Sequence, residues 1–230
     1  DDSHQYGVWE MGMNHAGEIE VLAEIAAPDA AVVTNIGTAH IENLGTREAI
    51  AEEKAQLPAA VSEAGYCVMP QEDDFFEEVS AHVRGEMVSV GFSSGHVRAE
   101  NLKLDSQGRV QFDLVSEFAD SIALSLPVRG RHMVSNALLA AAVGFREGLS
   151  PEQIAEGLSS VRLTGGRLEE KKVGEFSILD DSYNANPDSM KAALATLQEA
   201  EVVGRRVAVL GYMGELGHIE EEAHLTLGEQ

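Results

Sequence analysis

Residues 30–34 (AAVVT) are the stretch that decides the fold. Residues 28–29 (PD) break the preceding helix, whose apolar side chains recur at helical spacing after Gly17. The stretch itself is short and apolar. Such a strand is typical of a parallel sheet that is covered on both of its faces. We therefore predict a buried parallel strand over residues 30–34.

Strand and helix patterns alternate around this stretch over the first 85 residues. Thr46 can cap a helix, residues 66–69 (YCVM) are the next predicted strand, and an acidic helix is predicted near residues 75–83. Residues 6–10 (YGVWE) are predicted as an earlier strand, and residues 37–45 as a loop. This alternation predicts an α/β layer with a parallel sheet.

The middle of the chain has a different pattern, because four short strands follow one another. They are predicted at residues 87–90, 102–104, 110–114 and 122–126, with a hairpin turn at residues 105–108 (DSQG). These strands predict a small antiparallel patch. Two helices are predicted after it: an Ala-rich helix over residues 131–145, and one that begins at the capping box of residues 150–153 (SPEQ).

Residues 163–166 (LTGG) form the predicted linker, since the α/β rhythm begins again after them. Strands are predicted at residues 176–179 and 207–210, and helices at residues 187–200 and from about residue 220. We therefore expect two domains, over residues 1–163 and 164–230.

Composition excludes several functional classes. The 16 Lys and Arg against 39 Asp and Glu give a formal net charge of −23, which argues against a general nucleic-acid or anionic-membrane surface. One Cys excludes a disulfide scaffold and a multi-Cys zinc site. No apolar run approaches the roughly 20 residues that span a bilayer. We expect a cytoplasmic protein with no membrane span.

The candidate metal ligands are polar residues near strand ends, where ligands bind in open α/β sheets. The chain contains no G-x-x-x-x-G-K-[ST] phosphate loop. Glu10 and His40 together suit a divalent ion such as Mg²⁺ or Mn²⁺, and Lys54 follows on the next helix. The competing interpretations are a solvated Glu10, a turn residue at His40 and a surface lysine at Lys54, which stands beside Glu52 and Glu53.

Residues 180–187 (DDSYNANP) follow an apolar strand and open a helix. Asn186 as a helix cap and Pro187 at the first helical position explain the end of this run. They do not explain the adjacent carboxylates of Asp180 and Asp181, which are costly to bury without partners.

Four runs together resemble the Mur ligase family: residues 10–19 (EMGMNHAGEI), 34–42 (TNIGTAHIE), 180–187 and 210–217 (LGYMGELG). The first and third runs are similar to the branch that adds D-alanyl-D-alanine to UDP-N-acetylmuramoyl-tripeptide. The resemblance extends over residues 6–228. It implies a UDP-sugar domain, a central ATPase domain and a Rossmann-like C-terminal domain. We expect this chain to be a fragment with the central domain, lacking its phosphate loop, and about half of the last.

The resemblance implies ATP-dependent amide formation through an acyl phosphate, in peptidoglycan precursor synthesis. It implies that Glu10, His40 and Lys54 hold Mg²⁺. Lys54 matches a lysine that is carbamylated in several members of the family, and a carbamate supplies oxygen donors that suit Mg²⁺. His40, Lys54 and Arg167 are the implied catalytic residues. We expect a monomer, and the isolated fragment to be inactive.

The resemblance also implies nucleotide contacts. Asn136 matches an asparagine that approaches adenine, Arg167 a linker arginine that reaches the ATP phosphates, and Asp181 a carboxylate that holds the ribose hydroxyls. Asn184 and Asn186 lie beside Asp181 and are candidates for contact with substrate or nucleotide, with capping as the competing role of Asn186.

Three residues depart from the family pattern: Gln56, Met133 and Tyr212. Two alternatives to the leading hypothesis therefore stay open. One is a different amide ligase of the same fold, of another Mur type or of the folylpolyglutamate or cyanophycin type. The other is a non-catalytic binding module, a decayed ligase in which Met133 and Tyr212 mark lost function.

Overall fold

Six strands form one mixed sheet in the computed structural model, which describes residues 3–105, 108–163 and 165–230. In sheet order, which is also chain order, they are β1 (Ala30–Val32), β2 (Tyr66–Pro70), β3 (Glu86–Gly91), β4 (Val97–Leu104), β5 (Arg109–Ser116) and β6 (Ile122–Arg129). Strands β1 to β4 pair in parallel, and β4 to β6 pair antiparallel. The mostly parallel α/β fold with an antiparallel patch is thus confirmed.

The antiparallel patch is continuous with the parallel sheet through β4. This strand begins at Val97, earlier than the predicted residue 102, and Val97 pairs with Val90 of β3. Its first half, residues 97–100 (VRAE), alternates apolar and polar side chains, a strand pattern that the prediction missed. Residues 106 and 107 of the predicted turn lie outside the described residues, but Gly108 has φ +75° and its N–H donates to the Asp105 carbonyl (2.9 Å).

Eight α-helices and one 3₁₀ turn (Gly217–Ile219) lie within the described residues, six of the α-helices in the region of the sheet and two beyond it. The α-helices are α1 (Glu18–Ala26), α2 (Ile41–Leu44), α3 (Arg47–Ala60), α4 (Phe76–Ser80), α5 (His132–Arg146), α6 (Pro151–Ser159), α7 (Pro187–Glu199) and α8 (Glu220–Glu229). Helix α2 corrects the prediction of a loop over residues 37–45. No helix in the described ranges has the length and apolar character that a membrane crossing requires.

Two apolar layers cover the two faces of the sheet. Successive side chains of a strand point to opposite faces, so Tyr66 and Val68 of β2 pack in the layer with α5 and α6, whereas Cys67 and Met69 pack in the layer with α1 and α3. All four side chains are buried. The parallel strands predicted at residues 30–34 and 66–69 are confirmed, although β1 ends at Val32. The predicted burial on both faces is confirmed for β2 only, because β1 lies at the edge of the sheet and leaves Val32 and Thr34 exposed.

Residues 165–230 form a smaller unit. Strands β7 (Glu169–Val173) and β8 (Phe176–Asp180) make an antiparallel hairpin, and α7 and α8 pack with the loop between them. The core of this unit is small; its buried side chains are Met190, Met213, Leu216 and Leu227.

Two predicted strands are absent from the described residues. The segments 6–10 and 207–210 have strand-like sequences but pair with no other strand. Val8 and Val209 are almost fully exposed, at 96% and 94%. A strand is stable only when its backbone groups find a hydrogen-bonded neighbour. Neither segment has such a neighbour in the described ranges, so both predictions are wrong here.

Candidate active site

Lys54 lies on α3 and reaches the end of the first parallel strand. Its Nζ donates to the carbonyl of Asn35 at 2.7 Å, three residues beyond β1. Burial lowers the pKa of Lys54, and the carboxylates of Asp73 and Asp188 oppose that shift in part. The net effect enlarges the fraction of neutral amine, the form that can react with an electrophile.

Asp73 joins the ends of β1 and β2. It follows β2, and its carboxylate accepts from the backbone N–H of Ile36 (2.8 Å) and of Phe75 (3.0 Å). Arg47 of α3 donates to the Ile36 carbonyl at 2.9 Å. The carboxyl edge of the sheet is therefore held by side chains from two elements, as expected for a ligand-binding edge.

His40 begins α2 in a left-handed conformation, with φ +65°. Its Nδ1 is in ion-pair contact with the carboxylate of Glu215, although within the described residues this buried nitrogen has no partner with hydrogen-bond geometry. The Glu215 carbonyl accepts from the Glu42 N–H (3.1 Å). A loop of the smaller unit thus covers the predicted metal ligand.

Asp188, near the start of α7, holds the same loop at a second point. Its Oδ2 accepts from the backbone N–H (3.1 Å) and the hydroxyl (3.3 Å) of Thr38. A Cβ on Gly37 would lie 2.6 Å from that oxygen, so a side chain at this position would displace the Asp188 carboxylate. The segment of residues 35–40, called here the β1–α2 loop, is therefore held by α3 on one side and by the smaller unit on the other.

Glu10 stands apart from this arrangement. It is exposed, and no hydrogen bond or ion pair joins it to His40 or Lys54 in the described ranges. Nor does any group of three or more His, Cys, Asp or Glu side chains there converge as a metal site. The structure brings Lys54 and His40 to one loop and leaves Glu10 outside.

A second group of predicted residues meets at the start of the smaller unit. The Arg167 guanidinium lies over the Tyr183 ring, 4.2 Å from its centroid. Asp181 accepts from the Leu168 N–H (3.0 Å). Burial lowers the pKa of His132, at the start of α5, while the Asp181 carboxylate opposes that shift. Arg167, Asp181 and the first turn of α5 are therefore neighbours.

The adjacent carboxylates at residues 180 and 181 have separate partners. Asp180 is bound by Lys171 Nζ (2.6 Å), and this hydrogen bond, with those from Ser182, lowers the pKa of Asp180 to about 2. Asp181 faces the other way, toward Leu168. The pair is thus held on the surface by a cation and by backbone donors, which explains what helix capping did not.

The three predicted asparagines differ in their contacts. Asn186 forms a capping box with Ser189 and accepts from its N–H at 2.8 Å, so its capping role is confirmed. Asn184 accepts from the N–H of Ala185 at 2.8 Å. Asn136 is exposed on α5, and its Nδ2 lies 3.8 Å from Met133 Sδ, the residue that departs from the family pattern.

Sequence reasoning missed four acidic residues of this region: Glu53, Asp73, Asp188 and Glu215. Asp188 had a weak signal, as an acid in the first turn of a helix. Glu215 lies within the run 210–217 but had no assigned role. Apart from the contact of Asp73 with Phe75, their partners are distant in sequence, and no local spacing rule connects them.

The donor chemistry fits a divalent cation in part. The exposed carboxylate of Glu10 and the imidazole of His40, whose Nδ1 contacts the Glu215 carboxylate, are suitable ligand types. Lys54 as an ammonium ion is not a ligand, because it has only donors. It would become one only as an oxygen-bearing anion.

Comparison with known proteins agrees with the resemblance. The family model described as Mur ligase middle domain matches residues 1–144, and that described as Mur ligase, glutamate ligase domain matches residues 166–230. UDP-N-acetylmuramoyl-tripeptide--D-alanyl-D-alanine ligase of Bacillus subtilis is 36% identical, covering 99% of this chain and 49% of the relative. The enzyme of that name from Mycobacterium tuberculosis is 39% identical, covering 97% and 45%.

Solved structures give the same result. A crystal structure of MurF from Acinetobacter baumannii superposes with a TM-score of 0.94 at 35% identity, over 99% of this chain and 49% of that one. MurF ligase from Thermotoga maritima in complex with ADP gives 0.83 at 27% identity, over 96% and 50%. The chain spans about half the length of the relatives that it matches.

Proposed function

Because the chain belongs to the Mur ligase family, we propose that it supplies the ATP-using part of a ligase that joins D-alanyl-D-alanine to UDP-N-acetylmuramoyl-tripeptide. The observation that carries the proposal is the contact that half-buried Lys54 of α3 makes with the loop that holds His40, at the carboxyl edge of the parallel strands. The names of relatives at 34–39% identity support the choice of substrates.

The reaction has two steps. A carboxylate oxygen of the tripeptide attacks the γ-phosphorus of ATP, which forms an acyl phosphate and releases ADP. The amine of D-alanyl-D-alanine then attacks the acyl carbon, phosphate leaves with the bonding electrons, and the nitrogen loses a proton. Bound Mg²⁺ supplies the neutralisation of charge that a carboxylate and a triphosphate need in order to meet.

Glu10, His40 and Lys54 would hold Mg²⁺, with Mn²⁺ as an acceptable substitute. For Lys54 this requires carbamylation. The neutral amine adds to the carbon of CO₂ and loses a proton, which leaves a carbamate anion with two oxygen donors. The burial that lowers the pKa of Lys54 favours this reaction, since only the neutral amine has a free electron pair.

For the nucleotide, we propose contacts from the junction between the two units. Arg167 would bind the ATP phosphates, Asp181 the ribose hydroxyls and Asn136 the adenine. Asn184 is proposed to contact substrate or nucleotide; Asn186 is proposed to do so without giving up its cap. The position of Arg167 over Tyr183 leaves the guanidinium exposed and able to reach an anion.

We further propose domains over residues 1–163 and 164–230, and a monomeric protein of the cytoplasm. Its product would serve cell-wall biogenesis, and through it cell shape and cell division. The net charge of −23 agrees with a protein that does not bind nucleic acid.

The test uses the longest reading frame that contains these residues, with ATP and Mg²⁺, and measures phosphate release and the ligated product. Glu10→Ala, His40→Ala and Lys54→Ala should each lower kcat/KM at least about a hundredfold. Glu20→Ala, His82→Ala and Lys172→Ala are matched controls on exposed side chains and should stay within about twofold of wild type.

A substrate panel distinguishes the alternatives. Ligation of a pteroyl or other glutamate acceptor in place of the tripeptide would overturn the substrate assignment. A protein that binds an ATP analogue with Mg²⁺ but ligates nothing in the panel would indicate a non-catalytic module. We expect the 230 residues alone not to hydrolyse ATP, since they contain no phosphate loop.

A further inference from the structure

Glu53 is a buried carboxylate that the proposed mechanism does not use. It lies on α3 with 6% of its surface exposed, beside Lys54. Both of its oxygens accept from the start of α1: Oε2 from the Gly17 N–H and Oε1 from the Ile19 N–H, each at 2.8 Å. A buried charge is retained only when it is paired or fully hydrogen-bonded, and these two bonds meet that need.

Helix α1 depends on this contact, because it has no side-chain cap of its own. Its N-cap residue is Gly17, with φ +86° and no side chain to accept a hydrogen bond. The first N–H groups of a helix need acceptors, and a carboxylate also suits the positive end of the helix. Glu53 supplies that acceptor from a different helix.

The segment before α1 is held by a second carboxylate. Glu18 accepts from the N–H groups of Asn14 (2.6 Å) and His15 (3.1 Å). The segment of residues 10–17 is called here the Glu10 loop. Two carboxylates accept hydrogen bonds from the backbone at its C-terminal end: Glu18 of α1 and Glu53 of α3.

Consecutive residues of a helix point about 100° apart, so one turn of α3 contacts two different segments. Glu53 holds the end of the Glu10 loop, and Lys54 holds the β1–α2 loop through the Asn35 carbonyl. We propose that Glu53 is a positioning residue that fixes the Glu10 loop relative to Lys54, and so sets the distance between the ligands of the cation. This inference rests on the proposed function for its effect on Mg²⁺.

Glu53→Gln is the sharpest variant. An amide keeps the shape but has one acceptor oxygen, and its NH₂ group would face one of the two N–H donors. Glu52→Gln is the matched control, since Glu52 is the preceding residue of the same helix and is exposed. The first readout is amide hydrogen exchange over residues 14–20 in protein without metal or nucleotide, and the second is the Mg²⁺ concentration for half-maximal ligation.

We expect Glu53→Gln to speed exchange over residues 14–20 about tenfold and to raise the half-saturating Mg²⁺ about tenfold, with kcat at saturating Mg²⁺ largely kept. Glu52→Gln should match wild type in both. Faster exchange with an unchanged Mg²⁺ requirement would make Glu53 a structural cap only and overturn the inference, as would unchanged exchange.

If Glu53→Gln does not fold, Glu53→Asp, which keeps both oxygens on a shorter stem, replaces it under the same criteria. A wild-type protein that ligates no substrate would remove the proposed function, whereas the exchange comparison would still decide whether Glu53 holds the Glu10 loop.

Discussion

Residues 3–163 and residues 165–230 differ in how much apolar surface they bury. In the first region six strands pair along their length, and apolar layers cover both faces of the sheet. In the second region two strands pair, four side chains form the buried core, and the segment 207–210 is exposed. The stability of the described chain therefore resides mainly in the first region.

The second region nevertheless contributes to the candidate site. Its contacts with the first region include three polar ones, Asp188 with Thr38, Glu215 with His40 and Glu170 with Arg129, while Ile219 packs against the apolar layer of α1 and α3. Polar contacts of this kind fix a position without the large free energy of a shared apolar core. The first region therefore supplies the stable sheet and its loops, and the second region supplies the carboxylates of Asp188 and Glu215, which contact the β1–α2 loop.

The largest expected effect is on the free energy of unfolding, and it differs between the apolar cores of the two regions. Leu138→Ala, in α5, should lower the free energy of unfolding by about 4 kcal/mol, because Leu138 is fully buried and its neighbours cannot close the cavity. Leu216→Ala should cost about 2 kcal/mol, since partly buried side chains around the small core can shift into the space. Urea unfolding followed by circular dichroism measures both. Equal losses would contradict the comparison.

Loss of Asp188 should affect the contact between the regions. Asp188→Asn weakens the bonds to Thr38 by about 1 kcal/mol, as expected for an exposed, charge-assisted contact. It also removes an anion that raises the pKa of Lys54, so that pKa falls further below its ordinary value. Acylation of Lys54 with acetic anhydride, read by mass spectrometry across a pH series, should then reach its midpoint at lower pH.

The control for this prediction is Asp120→Asn, which removes the same charge at an exposed position between β5 and β6. Exposed Lys172 serves as the internal standard for reagent concentration. A Lys54 midpoint that stays fixed or moves to higher pH in Asp188→Asn would show that Asp188 does not act on the amine.

Local signals in the sequence predicted the frame well. The strand at Tyr66–Pro70 and the caps at Thr46, Ser150 and Asn186 depend on residues within a few positions of one another, and all are confirmed. Strand β7, with the sequence EEKKV, was missed because its charged side chains lie on an exposed hairpin. The pattern at residues 207–210 predicts a strand, but a pattern cannot supply the neighbour that a strand needs.

The candidate site was predictable only in part. The positions of polar residues near strand ends gave His40 and Lys54, the resemblance gave them roles, and the structure brings both to the β1–α2 loop. It did not give Asp188 or Glu215, which meet that loop from far along the chain. Contacts across such separations follow from the packing of whole elements, and no spacing rule contains them.

A last prediction, of about the same size as the loss of the Asp188 contact, compares two matched caps. Ser150 and Asn186 both form capping boxes with Pro at the next position, one in each region. Ser150→Ala and Asn186→Ala should each cost about 1 kcal/mol. Exchange should show the loss over α6 for the first and over α7 for the second. Loss of protection over both helices in either variant would mean that the two regions unfold as one unit.

The central claim is that Glu10, His40 and a CO₂-modified Lys54 hold divalent cations beside bound ATP. A crystal structure of the longest reading frame, grown with Mn²⁺ and a non-hydrolysable ATP analogue, tests it most directly. The account predicts anomalous peaks within about 2.5 Å of the Glu10 carboxylate and a His40 nitrogen, with added density on Lys54 Nζ. Manganese bound to the nucleotide alone, with Glu10 and His40 out of reach, would contradict it.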